Sequence, residues 1–237
     1  MPTLVLLRHG QSQWNLEDRF TGWVDVDLSP RGEAEAHRAG ELIAAAGLEL
    51  DRVFASVLTR AIRTADIALA VAGQLWIPME KHWRLNERHY GGLTGLNKAE
   101  TAARHGAEQV MAWRRSYDIP PPPLAPGGPY DLARDRRYAG VAVPATETLK
   151  TTLERVRPYW EAEIAPRAAA GERVLIAAHG NSLRAIVKLL FDVADQAIPG
   201  VEIPTGNPLL IELDARLKPA ASRYLDAERA ERLPAAA

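Results

Sequence analysis

The sequence predicts an α/β fold, a three-layer α/β/α sandwich around a mostly parallel sheet, in a single domain spanning residues 1–237. Two observations carry this expectation. Leu4, Val5, Leu6 and Leu7 form an unbroken apolar run, and Val174, Leu175, Ile176, Ala177 and Ala178 form another. Runs of this kind suit strands covered on both faces by helices. Between them, helical patterns alternate with short apolar segments, the order that builds a parallel sheet. A chain of 237 residues buries roughly 70% of its extended surface, enough for one substantial core.

The elements follow in order. After the first strand, Ser29 is placed to cap a helix, Pro30 fits its first turn, Ala34, Ala39, Leu42, Ile43 and Ala46 supply its apolar stripe, and Gly47 ends it. A strand near 53–57 leads into a helix at about 59–72, and a short strand is expected near 79–83. Asn97 with Glu100 reads as a capping box, helix resumes around 107–115, and the prolines at 120–123 stop it. Residues 120–145 form a long excursion rich in glycine and proline, expected to be a lid or binding wall. A long amphipathic helix starts at Thr146 with Leu149, Leu153, Val156 and Trp160 on its apolar side, and Pro158 is expected to bend it. The second buried strand and a helix at about 182–191 come next. Residues 208–213 are expected to add a strand at the sheet edge, and the tail from about 220 is expected to be flexible.

Composition excludes several functions. With 29 basic and 30 acidic residues, the near-neutral chain gives no reason to expect nucleic acid or a membrane as partner. No apolar stretch reaches the ~20 residues of a membrane span, and Arg8 and His9 cut short the apolar start, unlike a secretory signal. A cytoplasmic protein is expected. There is no cysteine, so disulfides, thiolate catalysis and sulfur-ligated metal are excluded.

Both buried strands end in the same kind of turn, HGQS at residues 9–12 and HGNS at 179–182. In open α/β sheets, sites collect beyond the carboxyl ends of strands, so His9 and His179 are expected to share one crevice. Gly10 and Gly180 allow close backbone approach, and Ser12 or Asn181 can donate to an anion or cap a helix. Arg8 beside His9, and Arg60 and Arg63 after the next strand, add guanidinium forks suited to phosphoryl oxygens. Either arginine alone reads equally well as part of a solvated helix face; Arg60 lies nearer the strand end. A neutral His9 can attack phosphorus if its other ring nitrogen donates to a backbone carbonyl, while His179 and the arginines stabilise the oxygens. Glu87, in HWRLNERHYGG, is the candidate acid and base; a surface ion pair is the competing reading. Lys98, Arg114 and Arg115 could hold a second anion, or could simply be solvated helix ends.

Taken together, LLRHGQSQWN, DRFTGWVDVDLS, SVLTRAIRT, WRLNERHYGG, LNKAE, WRR and VLIAAHGNSLRAIVKLL closely resemble the 2,3-bisphosphoglycerate-dependent phosphoglycerate mutases of the histidine phosphatase superfamily. The resemblance covers nearly the whole chain and is weakest from 121 to 143 and in the tail. RHG alone marks the superfamily, whereas the middle motifs point to the mutase branch.

The resemblance implies that His9 is phosphorylated during turnover, that Glu87 moves the proton, that His179 assists electrostatically, and that Arg8 and Arg60 hold the phosphoryl oxygens. Ser12, Asn15, Gly180 and Asn181 match phosphate-pocket positions. Thr21, Gly22, Tyr90, Lys98, Arg114 and Arg115 match residues around the rest of the ligand. Gly10, Gln11, Gln13, Trp14, Arg88 and His89 complete the implied substrate-binding set. The implied reaction interconverts 3-phosphoglycerate and 2-phosphoglycerate in glycolysis and gluconeogenesis, with 2,3-bisphosphoglycerate as primer and intermediate, no metal, and a homodimer or homotetramer as the assembly. Gln11 stands where the motif often has glutamate, and 120–145 is shorter than in the family it resembles, which bears on closure over the ligand and so on water entry. A phosphomonoester hydrolase, or a phosphometabolite-binding protein without turnover, would use the same pocket.

Overall fold

In the computed structural model, which describes residues 2–232, the predicted alternation of strands and helices is present. In chain order the elements are β1 (Thr3–Arg8), α1 (Gln13–Leu16), α2 (Pro30–Ala45), β2 (Arg52–Ala55), α3 (Thr59–Val71), β3 (Met79–Lys81), α4 (Lys98–His105), α5 (Ala107–Arg115), α6 (Leu149–Tyr159), α7 (Ala165–Ala169), β4 (Val174–Ala178), α8 (Gly180–Phe191), β5 (Leu209–Leu213) and β6 (Pro219–Tyr224).

The sheet runs β3-β2-β4-β1-β5-β6. β3, β2, β4 and β1 are parallel, while β5 and β6 are antiparallel additions. Because side chains alternate across a strand, one apolar run serves two cores. Leu4 and Leu6 face a cluster that includes Leu153 and Val156 of α6 and Leu183, Ile186 and Val187 of α8. Val5 and Leu7 face the opposite cluster, with Ala39 and Ile43 of α2 and Ala65 and Leu69 of α3.

Ser29 caps α2 by accepting from the Gly32 amide, and Thr148 caps α6 by accepting from the Thr151 amide. Pro158 lies inside α6 and lacks an amide hydrogen. The helix continues through a π turn at Trp160–Ile164 before α7.

One expectation about the C-terminal part needs correction. The strand at 209–213 is not at the edge, because β6 pairs along its outer side. The tail from 220 is therefore regular at first. β6 was hard to foresee because most of PAASRY is exposed and only Tyr224 is buried. Beyond it, Asn207 Nδ2 donates to the carbonyls of Asp226 and Arg229, which ties the chain back to the sheet. Residues 233–237 of the expected tail lie outside the described residues.

Residues 120–145 carry one short 3-10 turn, Arg136–Tyr138. The excursion packs on the loops that reach toward β1. Tyr138 is buried, its ring lies 5.0 Å from that of Trp23, and its hydroxyl accepts from Asn86 Nδ2. Arg137 pairs with Asp25, Tyr130 meets Trp14 edge-on, and the Gly92 amide donates to Pro122.

Candidate active site

The site begins with strand register. β1 and β4 pair with Arg8 opposite Ala178, so the next residue of each strand, His9 and His179, leaves the sheet beside the other. The His9 amide donates to the Ala178 carbonyl at 3.0 Å, and the two imidazole centroids lie 4.9 Å apart. Two strand ends 170 positions apart in sequence thus form one crevice at the carboxyl edge of the parallel strands.

His9 Nδ1 lies 2.7 Å from the Gly10 carbonyl. A carbonyl can only accept, so Nδ1 holds the proton and Nε2 keeps its lone pair. Burial, with the charges of Arg60 and Arg8 adding to it, holds the His9 pKa well below the ordinary value. Burial also lowers that of His179 far below ordinary, helped by Arg60 and by His9. His179 stands at the N-cap of α8, and its Nε2 is 2.7 Å from Ser56 Oγ. Both shifts favour the neutral ring.

Arg60, at the start of α3, is almost fully buried and donates to the carbonyls of Gly22 and Val24. Burial lowers its pKa to about 10, which leaves it cationic at neutral pH. Arg63 points elsewhere, onto Asp27 and Glu33 at the exposed surface. Arg8 Nη1 donates to the Ile203 carbonyl. Glu87 Oε1 accepts from the amides of Arg88 (2.7 Å) and Asn181 (3.1 Å), the latter in the first turn of α8. The Asn181 amide side chain donates to the Tyr90 hydroxyl at 3.2 Å.

These groups line one cavity. Arg8, His9, Asn15, Thr21, Gly22 and Arg60 contribute from the first half of the chain, followed by Glu87, Tyr90, Lys98, Arg114, Arg115, Gly180 and Asn181. Arg19, Phe20, Arg184, Glu202 and Ile203 also line it, and none of these was singled out from the sequence. Arg184 had a signal, since it stands one helical turn after Asn181 and donates to Asn181 Oδ1. Arg19 sits inside the DRFTGW stretch. Glu202 and Ile203 lie outside any regular element, so nothing local marked them.

Other expected ligand contacts do not line the cavity, His179 among them, which is fully buried with its ring beside that of His9. Gly10 serves packing, because a Cβ there would overlap the Gly32 carbonyl of α2. The Gln11 side-chain oxygen accepts from Ser29 Oγ, and the Gln11 backbone amide donates to the Glu35 carboxylate. Ser12 caps α1 reciprocally with Asn15. Gln13 Nε2 donates to the Leu28 carbonyl, and Trp14 stacks under the Arg19 guanidinium, 4.1 Å from its ring centroid. Arg88 is buried and donates to the Arg114 carbonyl. His89 packs against Trp23, and its Nδ1 accepts from the Gly91 amide.

The cavity is a strongly cationic pocket with one carboxylate held beside a helix N-terminus and a neutral imidazole whose free nitrogen is nucleophilic. Such a set can accept and return a phosphoryl group. Among the described residues no group of His, Asp and Glu is arranged to hold a metal ion, and no helix is long and apolar enough to cross a membrane.

Comparison with known proteins agrees with this chemistry. The family model for the histidine phosphatase superfamily (branch 1) matches residues 4–219. A 2,3-bisphosphoglycerate-dependent phosphoglycerate mutase from Caulobacter vibrioides is 72% identical over 234 residues, with 99% of each chain covered. One from Hyphomonas neptunium is 63% identical over 234 residues, again with 99% of each chain covered. Among solved structures, a mycobacterial glucosyl-3-phosphoglycerate phosphatase superposes with a TM-score of 0.70 at 24% identity, covering 94% of this chain and 97% of that one. At that identity the likeness speaks for the fold.

Proposed function

The chain belongs to the histidine phosphatase superfamily, and from that membership and its pocket we infer that it is an isomerase. It interconverts 3-phosphoglycerate and 2-phosphoglycerate in glycolysis, the activity for which its full-length relatives are named. The observation that carries this reading is the pairing of His9, its Nδ1 committed to the Gly10 carbonyl, with Glu87 in the same cavity.

The pocket fits a polyanionic primer. Arg8 Nε and Thr21 Oγ1, both in the cavity wall, are buried donors without a protein partner among the described residues. Seven cationic side chains (Arg8, Arg19, Arg60, Lys98, Arg114, Arg115, Arg184) face two carboxylates (Glu87, Glu202) across it. Bound there, 2,3-bisphosphoglycerate supplies the phosphoryl group that primes the enzyme; Arg8, Arg60 and Asn15 would hold one phosphate, and Arg114 and Arg115 the opposite anionic end.

In the cycle, His9 Nε2 carries the phosphoryl group and passes it to the free hydroxyl of phosphoglycerate. Glu87 accepts that hydroxyl's proton as the P–N bond breaks. His9 then takes the other phosphoryl group through the same nitrogen, and Glu87 returns the proton to the ester oxygen that is released. The guanidinium groups balance charge on the transferring oxygens, the α8 N-terminus adds its dipole, and His179, uncharged and beside His9, offers a ring N–H rather than a charge. Arg114 and Arg115 select the carboxylate of the substrate.

The test supplies both phosphoglycerate isomers, primed with 2,3-bisphosphoglycerate, in one assay. Rapid interconversion is expected; phosphate release without isomerisation would reject this reading in favour of a phosphatase. A cytoplasmic location and a homodimer or homotetramer complete the proposal, and sedimentation velocity reads the assembly.

A further inference from the structure

Resting on that reading, we propose that Glu202 is a resident counter-anion of Arg115, which the second anionic group of a ligand must displace in order to bind. Glu202 thereby sets affinity and selectivity for ligands carrying a carboxylate as well as a phosphate.

The two carboxylates of the cavity are held differently. Glu87 accepts from backbone amides, whereas Glu202 is ion-paired with the Arg115 guanidinium. Of the remaining cations in the cavity wall, Arg19 and Lys98 pair with Glu17 and Asp18, which do not line the cavity. Arg8, Arg60 and Arg184 donate to carbonyls, and these three and Arg114 form no ion pair among the described residues. Among the described residues, Arg115 is thus the cavity-wall cation in direct ion-pair contact with a carboxylate of the cavity itself.

Glu202 is built to swing. Its own carbonyl accepts from the Tyr224 hydroxyl and that of Ile203 accepts from Arg8, so the backbone is anchored. Its side chain is 40% exposed and that of Arg115 is 25% exposed. An ion pair this wet is weak enough for a ligand anion to replace. Once displaced, the carboxylate is rehydrated without movement of the chain.

Glu202→Gln removes the charge and keeps the shape. Binding to the unphosphorylated full-length enzyme is measured by calorimetry for 3-phosphoglycerate, which has both anions, and for glycerol 3-phosphate, which lacks the carboxylate. The expected result is 3-phosphoglycerate bound about two- to fivefold more tightly by the variant, the range an exposed ion pair spans, with glycerol 3-phosphate nearly unchanged. Weaker 3-phosphoglycerate binding would mean that Glu202 positions Arg115 and would overturn the proposal. Equal tightening of both ligands, or no change in either, also overturns it. Because this readout needs no turnover, a wild-type enzyme that isomerises normally while the variant binds unchanged sinks this inference alone, whereas absent isomerisation counts against the functional reading.

Discussion

Arg155 of α6 donates through Nη2 to the backbone carbonyl of Glu87 at 2.9 Å, so the candidate acid-base residue is held from behind by a helix of the core. The same guanidinium reaches the carbonyls of Arg84 and Asn86 and pairs with Glu147 at 2.6 Å, where both side chains are under one-tenth exposed. Glu147 in turn accepts from the His89 amide. Arg155→Met should strand a buried carboxylate and release three carbonyls. We expect a loss of about 3–5 kcal/mol in denaturant unfolding, and a loss under about 1 kcal/mol would show that the segment holds itself.

His9→Ala removes the only nitrogen proposed to carry the phosphoryl group. Phosphoenzyme formation with labelled 2,3-bisphosphoglycerate should vanish, and isomerisation should fall by about 10⁴ or more. Labelling that persists would assign the phosphoryl group to another residue.

For Glu87→Gln, the amide keeps an acceptor oxygen for the Arg88 and Asn181 amides but cannot take a proton. Transfer should slow by roughly 10²–10⁴ with phosphate binding partly retained. A near-wild-type rate would remove Glu87 as acid and base.

How far the sequence showed all this depends on the kind of interaction. The two strands were legible because each is apolar throughout, and the shared crevice because both end in His-Gly. β6 was not, since an edge strand with one buried side chain has no pattern to detect. Gly10 reads in the sequence as allowing close backbone approach, and what approaches is the Gly32 carbonyl, a contact between segments that no local motif announces. Glu202 enters the pocket through tertiary anchoring by Tyr224 and by Arg8, and was invisible for the same reason. Arg60 and Arg63 were chemically alike in sequence; the turn of α3 between them sends one inward and the other to Asp27.

Stability should depend on pH through His9 and His179. Burial, reinforced by Arg60, keeps both neutral in the folded chain to well below pH 6.5, whereas in the unfolded chain they titrate near 6.5. Below that pH the unfolded state binds more protons, so stability falls as pH is lowered, by up to about 1.4 kcal/mol per pH unit for each histidine, until the folded-state values are reached. Urea midpoints from pH 7.5 to 5.5 should show this slope, and His9→Asn should reduce it by about one histidine's share. An unchanged slope in the variant would mean that His9 takes up protons equally in the folded and unfolded chains over this range.

Gly32→Ala sets helix propensity against sterics. Gly32 lies in the first turn of α2, where alanine alone would favour the helix by about 1 kcal/mol. A Cβ there, however, would overlap the Gln11 carbonyl, and one on Gly10 would overlap the Gly32 carbonyl, so two backbones meet with no room for a side chain on either. The clash cannot be relieved by rotating a side chain; α2 must move away from the turn that carries His9. We therefore expect Gly32→Ala to destabilise by about 1–3 kcal/mol and to slow phosphoenzyme formation, even though residue 32 touches no ligand. Thermal unfolding and labelling of the same preparation check both halves, and a stabilised, fully active variant would show that the contact between α2 and this turn does not position His9.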